Sequence, residues 1–264
     1  MEGNPVLAAL ESGVLTLTLN RPERLNAMNN PLIEAMNREL ARARADDKIR
    51  AVLLTGTGRA FCAGADLAGG SPVNFAAGAP DLGADMDRIF NPMIRAMREL
   101  PKPIVGAING VAAGGGANFA LACDIVLAAR SARFDQAFVR ISLMPDLGGS
   151  WFLPKTVGDA RARALAMLGS SLPAEEAERM GMVWQVVDDA SLMAEATKLA
   201  RRLASGPTLS YAAIKRAINL AATNTLDQQL DLERDSQREL GRSADFKEGV
   251  AAFLAKRPAQ FTGR

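Results

Sequence analysis

Two apolar runs in this chain break abruptly into small residues, and that pairing constrains the fold more than any other feature. The first break is Phe61-Cys62-Ala63-Gly64-Ala65-Asp66-Leu67. The second is Ile108-Asn109-Gly110-Val111-Ala112-Ala113-Gly114-Gly115-Gly116. Each follows an apolar run that reads as a buried strand. Small residues leave the main chain uncovered, so N–H groups in both stretches can approach a ligand closely. Two such donors aimed at one carbonyl oxygen form an oxyanion hole.

The pattern around these stretches is that of an α/β protein. Val14-Leu15-Thr16-Leu17-Thr18-Leu19 alternates apolar and polar residues, as a strand does. Asn20 to Asn26 is turn-rich. Pro31 marks a helix start, and Ile33, Met36, Leu40 and Ala43 follow at helical spacing. Ala51-Val52-Leu53-Leu54-Thr55 reads as a buried strand closed by Gly56 and Gly58. Residues 69–83, rich in Gly, Ala and Pro, read as a mobile loop. A helix is expected over residues 86–100, a strand over 103–107, a short helix over 115–122 and a strand over 125–128. Beyond about residue 155 the periodicity becomes helical, over 160–168, 174–180, 192–203, 208–222, 226–240 and 245–255, with one strand expected at 182–187. The expected organisation is a core over residues 1–200 and a helical oligomerisation region over 201–264.

Charge and composition narrow the chemistry. The chain has 31 Lys and Arg against 29 Asp and Glu, with no long basic run, which argues against a nucleic-acid partner. Residues 1–10 lack the pattern of a signal peptide, and no apolar run reaches the ~20 residues that a membrane helix needs. A soluble cytoplasmic protein is expected. Cys62 and Cys123 sit in apolar or Gly-rich contexts and are expected to be buried thiols in a reducing compartment. There is no histidine. Ser-His-Asp and Cys-His systems and His-based zinc sites are thereby excluded. Proton transfer falls to Asp, Glu, Lys, Tyr, Cys or water.

Several motifs, in this order, resemble the crotonase (enoyl-CoA hydratase/isomerase) superfamily: Asn20-Arg21-Pro22 with Leu25-Asn26-Ala27-Met28, then the stretch from Phe61 to Leu67, then the Gly114-Gly115-Gly116 helix start, then Met144-Pro145-Asp146-Leu147-Gly148-Gly149, and finally Asp245-Phe246-Lys247-Glu248-Gly249-Val250-Ala251-Ala252-Phe253. The resemblance implies a spiral of ββα units and a helical C-terminal region that builds trimers or dimers of trimers. It implies a coenzyme A thioester as substrate, with no metal and no separate cofactor. By motif position the oxyanion donors are the amides of Ala65 and Gly115. Arg24, Ala63, Asp66, Leu67, Asn118 and Phe138 join them as expected substrate-binding positions.

Hydratases of the family use two glutamates to activate water, and the corresponding positions here hold Asn118 and Phe138. The segment around Asp146 is similar to the isomerase branch that works in phenylacetate breakdown. One carboxylate suffices for a 1,3-proton shift, so Asp146 is the expected acid/base, its pKa raised by burial against Phe138, Leu143 and Trp151. The leading reading is an enoyl-CoA isomerase. The alternatives are an enoyl-CoA hydratase using other groups, a ring-1,2-epoxyphenylacetyl-CoA isomerase, and a non-catalytic acyl-CoA-binding oligomer.

Overall fold

The computed structural model describes residues 3–67 and 81–264. The described strands are β1 (Val6–Glu11), β2 (Val14–Leu19), β3 (Ala51–Gly56), β4 (Ala60–Cys62), β5 (Ile104–Ile108), β6 (Val111–Ala113), β7 (Ile125–Ala129), β8 (Arg133–Asp135), β9 (Ser171–Pro173) and β10 (Gln185–Val187). The described helices are α1 (Asn30–Ala45), α2 (Leu82–Asp85), α3 (Asn91–Glu99), α4 (Gly115–Leu121), α5 (Gly149–Val157), α6 (Asp159–Leu168), α7 (Ala174–Arg179), α8 (Leu192–Ala204), α9 (Thr208–Ala221), α10 (Leu226–Leu240) and α11 (Ala244–Leu254).

The strands form two sheets, in the orders β1-β2-β3-β5-β7-β10 and β4-β6-β8-β9. β2, β3, β5, β7 and β10 run parallel, with β1 antiparallel at the edge. Each of β3, β5 and β7 in the large sheet is followed within a few residues by a short strand of the small sheet, β4, β6 and β8 respectively. This is the expected spiral of ββα units. Parallel strands need long crossovers, which the helices supply. Ala51-Val52-Leu53-Leu54-Thr55 is buried throughout because both sheet faces are covered. α8 packs against β3, β5 and β7 through Leu192, Ala196 and Ala200, three buried side chains at a four-residue interval.

α1 begins as the sequence predicts. The Asn29 side chain accepts from Leu32 N–H, Pro31 falls in the first turn, and Ile33, Met36, Leu40 and Ala43 are buried. The helix expected over 86–100 is instead α2, a π-helical turn over Met86–Phe90, and α3. Pro92 lies in the first turn of α3 and has no N–H to give the turn before it, where the ladder widens. Of the loop expected at 69–83, residues 69–80 lie outside the described residues, and Leu82 and Gly83 are helical. β1, β4, β6, β8, β9 and α5 have no counterpart in the sequence expectations. No helix among the described residues is long and apolar enough to cross a membrane.

α9 is tied to the core by a buried cation. Lys215 Nζ donates to Met97 O at 2.7 Å, to Asp124 Oδ2 at 2.8 Å and to Lys102 O at 3.4 Å. Asp124 Oδ2 also accepts from Ile104 N–H at the start of β5. Deleting one partner of a buried pair is strongly destabilising, and here it would leave Arg98 Nη1, 3.9 Å away, as the cation beside Asp124. Lys215→Met is therefore expected to cost about 3 kcal/mol in urea unfolding, with α9 losing amide-exchange protection before β5 does.

Candidate active site

The site begins with the loop between β2 and α1. Asn26, buried and at φ 56°, accepts from Arg21 N–H at 2.8 Å and donates through Nδ2 to Ala60 O at 2.8 Å. Arg21 is buried as well. Its guanidinium donates to Ala27 O at 2.6 Å and pairs with the buried Asp66 carboxylate at 2.8 Å. The Asn-Arg-Pro motif thus fastens the loop to the strand end that carries the first Gly-rich stretch. Arg21→Ala removes one side of a buried ion pair and is expected to destabilise the fold by about 3 kcal/mol, read as a lower urea midpoint.

This fastening aims a main-chain amide. Met28 N–H donates to Gly64 O at 2.7 Å, and Asp66 N–H donates to Met28 O at 2.9 Å. Residues 64 and 66 face Met28, so by strand alternation the Ala65 N–H points the opposite way, toward the cavity that Ala65 lines. The second donor lies at the start of α4. Gly114 N–H donates to Asp135 O at 2.8 Å, and Gly115 opens the helix, where the first N–H groups have no intrahelical partner. Neither the Ala65 nor the Gly115 N–H has an acceptor among the described residues. The two stretches nearly touch at Gly64, whose φ is 95°. A Cβ there would meet Ala113 O at 2.8 Å and Gly115 N at 3.5 Å, so a side chain would force the stretches apart.

Asp146 stands beside this pair. Its Oδ1 lies 3.4 Å from the point that a Cβ on Gly115 would occupy. That oxygen is buried and has no hydrogen-bond partner among the described residues. Burial pushes the carboxyl up from 3.8 to about 6, opposed only by its own main-chain N–H. The turn that presents it is tight: Asp146 O accepts from Gly149 N–H at 2.8 Å, while Leu147 and Gly148 take φ 46° and 80°.

A cavity of about 600 Å³ opens here. Its described walls include Met28, Phe90, Phe138, Leu143 and Leu147 around Ala65, Gly115 and Asp146. Ala63 and Leu67 also line it. Three expected substrate-binding residues do not. Arg24 is exposed, in a 3-10 turn over Pro22–Arg24. Asp66 points at Arg21. Asn118 is fully buried behind the Asp146 turn, donating to Asp146 O at 2.8 Å. The expected packing of Trp151 on Asp146 is corrected. Trp151 is half-exposed, with Lys155 Nζ 3.7 Å from its ring centroid, because α5 turns that residue outward. Leu147 takes its place against the site. Met28 was not anticipated as a wall, although its motif carried a signal; Phe90 falls in the segment from Gly69 to Met97 expected to supply the wall, and only the π-helical shape of its turn had no signal.

Fold and cavity together define an α/β enzyme of the crotonase type. Residues 9–264 match the family model described as enoyl-CoA hydratase/isomerase. The chain is 56% identical, over 98% of both chains, to the 1,2-epoxyphenylacetyl-CoA isomerase of Escherichia coli (strain K12). It is 47% identical, over 97% of this chain and 96% of the other, to a Rhodobacter capsulatus protein named probable enoyl-CoA hydratase. The solved structure of an enoyl-CoA hydratase from Polaromonas sp. JS666 superposes with a TM-score of 0.90 at 36% identity, over 97% of this chain and 99% of that one. The chain belongs to the enoyl-CoA hydratase/isomerase family and is an acyl-CoA enzyme.

Proposed function

We propose that this protein is an isomerase of enoyl-CoA thioesters, with Asp146 as the proton carrier and the Ala65 and Gly115 amides as the oxyanion donors. The observation that carries the reading is the unpartnered Asp146 Oδ1 beside Gly115. Asp146 takes a proton from the carbon next to the thioester carbonyl. The charge gathers on the thioester oxygen, where each preorganised donor contributes about 3 kcal/mol. The same carboxyl returns the proton two carbons along, and the double bond moves into conjugation. Atoms and electrons balance within the substrate, so the step needs no metal or separate cofactor. Hydration would need water held and activated as well, yet Phe138 presents a ring where a glutamate would serve, its Cζ 3.9 Å from the Cβ point of Gly114.

The test compares two substrates. A 3-enoyl-CoA should be isomerised with a kcat in the usual range of about 1–10³ s⁻¹, while hydration of crotonyl-CoA, followed by loss of absorbance, should be at least a hundredfold slower. Fast hydration would overturn the assignment. A second reading, isomerisation of a ring-epoxide thioester of the 1,2-epoxyphenylacetyl-CoA type, draws on the 56% identity to the Escherichia coli enzyme and on the apolar walls with Phe90 and Phe138. Conversion of that thioester at a higher kcat/KM than a linear 3-enoyl-CoA would select it.

The same proposal includes a homotrimer or dimer of trimers working in the cytoplasm. Ile218, Leu226, Phe253 and Leu254 on α9 to α11 are exposed apolar side chains of the sort that subunit contacts cover.

A further inference from the structure

We propose that Asn118, with Gln136 behind it, is a positioning residue that holds the Asp146 turn in its working conformation. This rests on the reading of Asp146 as acid/base. Asn118 occupies a position from which hydratases activate water, but here the side chain is fully buried and does not line the cavity. Its Nδ2 donates to Asp146 O at 2.8 Å, and its Oδ1 accepts from Gln136 Nε2 at 2.9 Å. The directions are forced. A main-chain carbonyl can only accept, so Asn118 must turn its NH₂ to Asp146. Its oxygen then faces Gln136, which must present its own NH₂. Gln136 is itself buried.

The turn needs such a clamp. Leu147 is a bulky residue at φ 46°, a left-handed conformation that persists only where its surroundings enforce it. Two donors converge on the Asp146 carbonyl, the Asn118 amide and the Gly149 N–H, each at 2.8 Å. Position 149 has no side chain to spare for anything else. A Cβ there would fall 2.1 Å from Asn118 Nδ2 and 2.4 Å from its Cγ. The missing side chain at 149 and the amide at 118 are therefore complementary parts of one fitting.

The clamp fixes where the carboxyl stands. Asp85 and Arg140 are the other charged residues on the cavity wall, and both are engaged elsewhere, Asp85 with Arg88 and Arg140 with Gly169 O. Burial is thus the main influence on the proton affinity of Asp146, opposed by its own main-chain N–H, and both depend on the turn. A released turn lets the carboxyl reach water.

The experiment measures kcat, KM and the pH dependence of kcat/KM for Asn118→Leu, Gln136→Met and Asp146→Asn on a 3-enoyl-CoA. Gln136→Met roughly keeps volume, adds no charge and removes the NH₂ that holds the Asn118 oxygen. Both clamp variants are expected to lower kcat by about 10²-fold, the cost of a misplaced group, with KM within about twofold, and to move the acid limb of the profile below that of the wild type. If Asn118→Leu does not fold, Gln136→Met decides. A wild-type kcat, or a lower kcat with the acid limb unmoved, overturns the clamp while an inactive Asp146→Asn leaves the proposed function standing. An active Asp146→Asn overturns that function and the clamp with it.

Discussion

Asp146→Asn is expected to slow isomerisation by about 10²–10⁴-fold, the usual contribution of a general acid/base, while acyl-CoA still binds. The substitution keeps shape and removes the proton site. Wild-type kcat/KM should rise with pH through about 6, where the carboxyl ionises, and that limb should vanish in the variant. A stability effect of opposite sign accompanies the loss. The folded-state pKa of about 6 stands above the ordinary 3.8, so between those values the folded chain holds more protons than the unfolded one. The contribution of Asp146 to stability is therefore fully present below about pH 4 and is lost as pH rises through 6, by about 3 kcal/mol at most. Asp146→Asn lacks this decline. Urea unfolding of both proteins at pH 4 and pH 7.5 checks it: the wild type should lose ground to the variant at the higher pH. Equal pH slopes would show that the carboxyl is solvated.

Gly115→Ala should lower kcat by about 10²-fold, the cost of displacing a reacting group by about an ångström, without unfolding the protein. Gly115 is not at positive φ and opens α4, so alanine suits its backbone. The added methyl would lie 3.1 Å from Met28 Cε, 3.3 Å from Leu147 Cδ1 and 3.4 Å from Asp146 Oδ1. It fills the space between donor and carboxyl, where the reacting carbons belong. Gly116→Ala is the contrast. There the Cβ would fall 2.1 Å from Cys62 O, a main-chain atom that cannot step aside. That variant should fail to fold, whereas Gly115→Ala should keep a near-native melting temperature and lose turnover. An active Gly115→Ala would place the thioester oxygen elsewhere.

The sequence carried the long elements and the main-chain half of the site. Ile33, Met36, Leu40 and Ala43 show a full helical period, so α1 is legible; so are the helices from α6 to α11. β6, β8 and β9 are three residues each, too short to display alternation, and their pairing is set by neighbours distant in the chain. β1 buries only Val6 and so carries no amphipathic signal. α5 contains Pro154, which reads as a break. At the site, Ala65, Gly115 and Asp146 were legible because their motifs fix main-chain shape. The function of Arg21 was not, since a buried guanidinium looks the same in sequence as a solvated one. Asn118 read as a lost catalytic group because residue type alone does not show which way an amide faces. Trp151 read as a wall because α5 was not anticipated.

In the proposed mechanism the two stretches that meet at Gly64 and Gly115 supply only peptide groups to the reaction. Their contribution is thus carried by the main chain, and side chains there act only through the space they leave and the course they allow. Electrophilic activation and proton handling become separable modules: one inherited with the chain path, the other decided by a few substitutions at 118, 138 and 146. A single scaffold can then change the fate of its bound enolate without rebuilding the device that makes the enolate attainable.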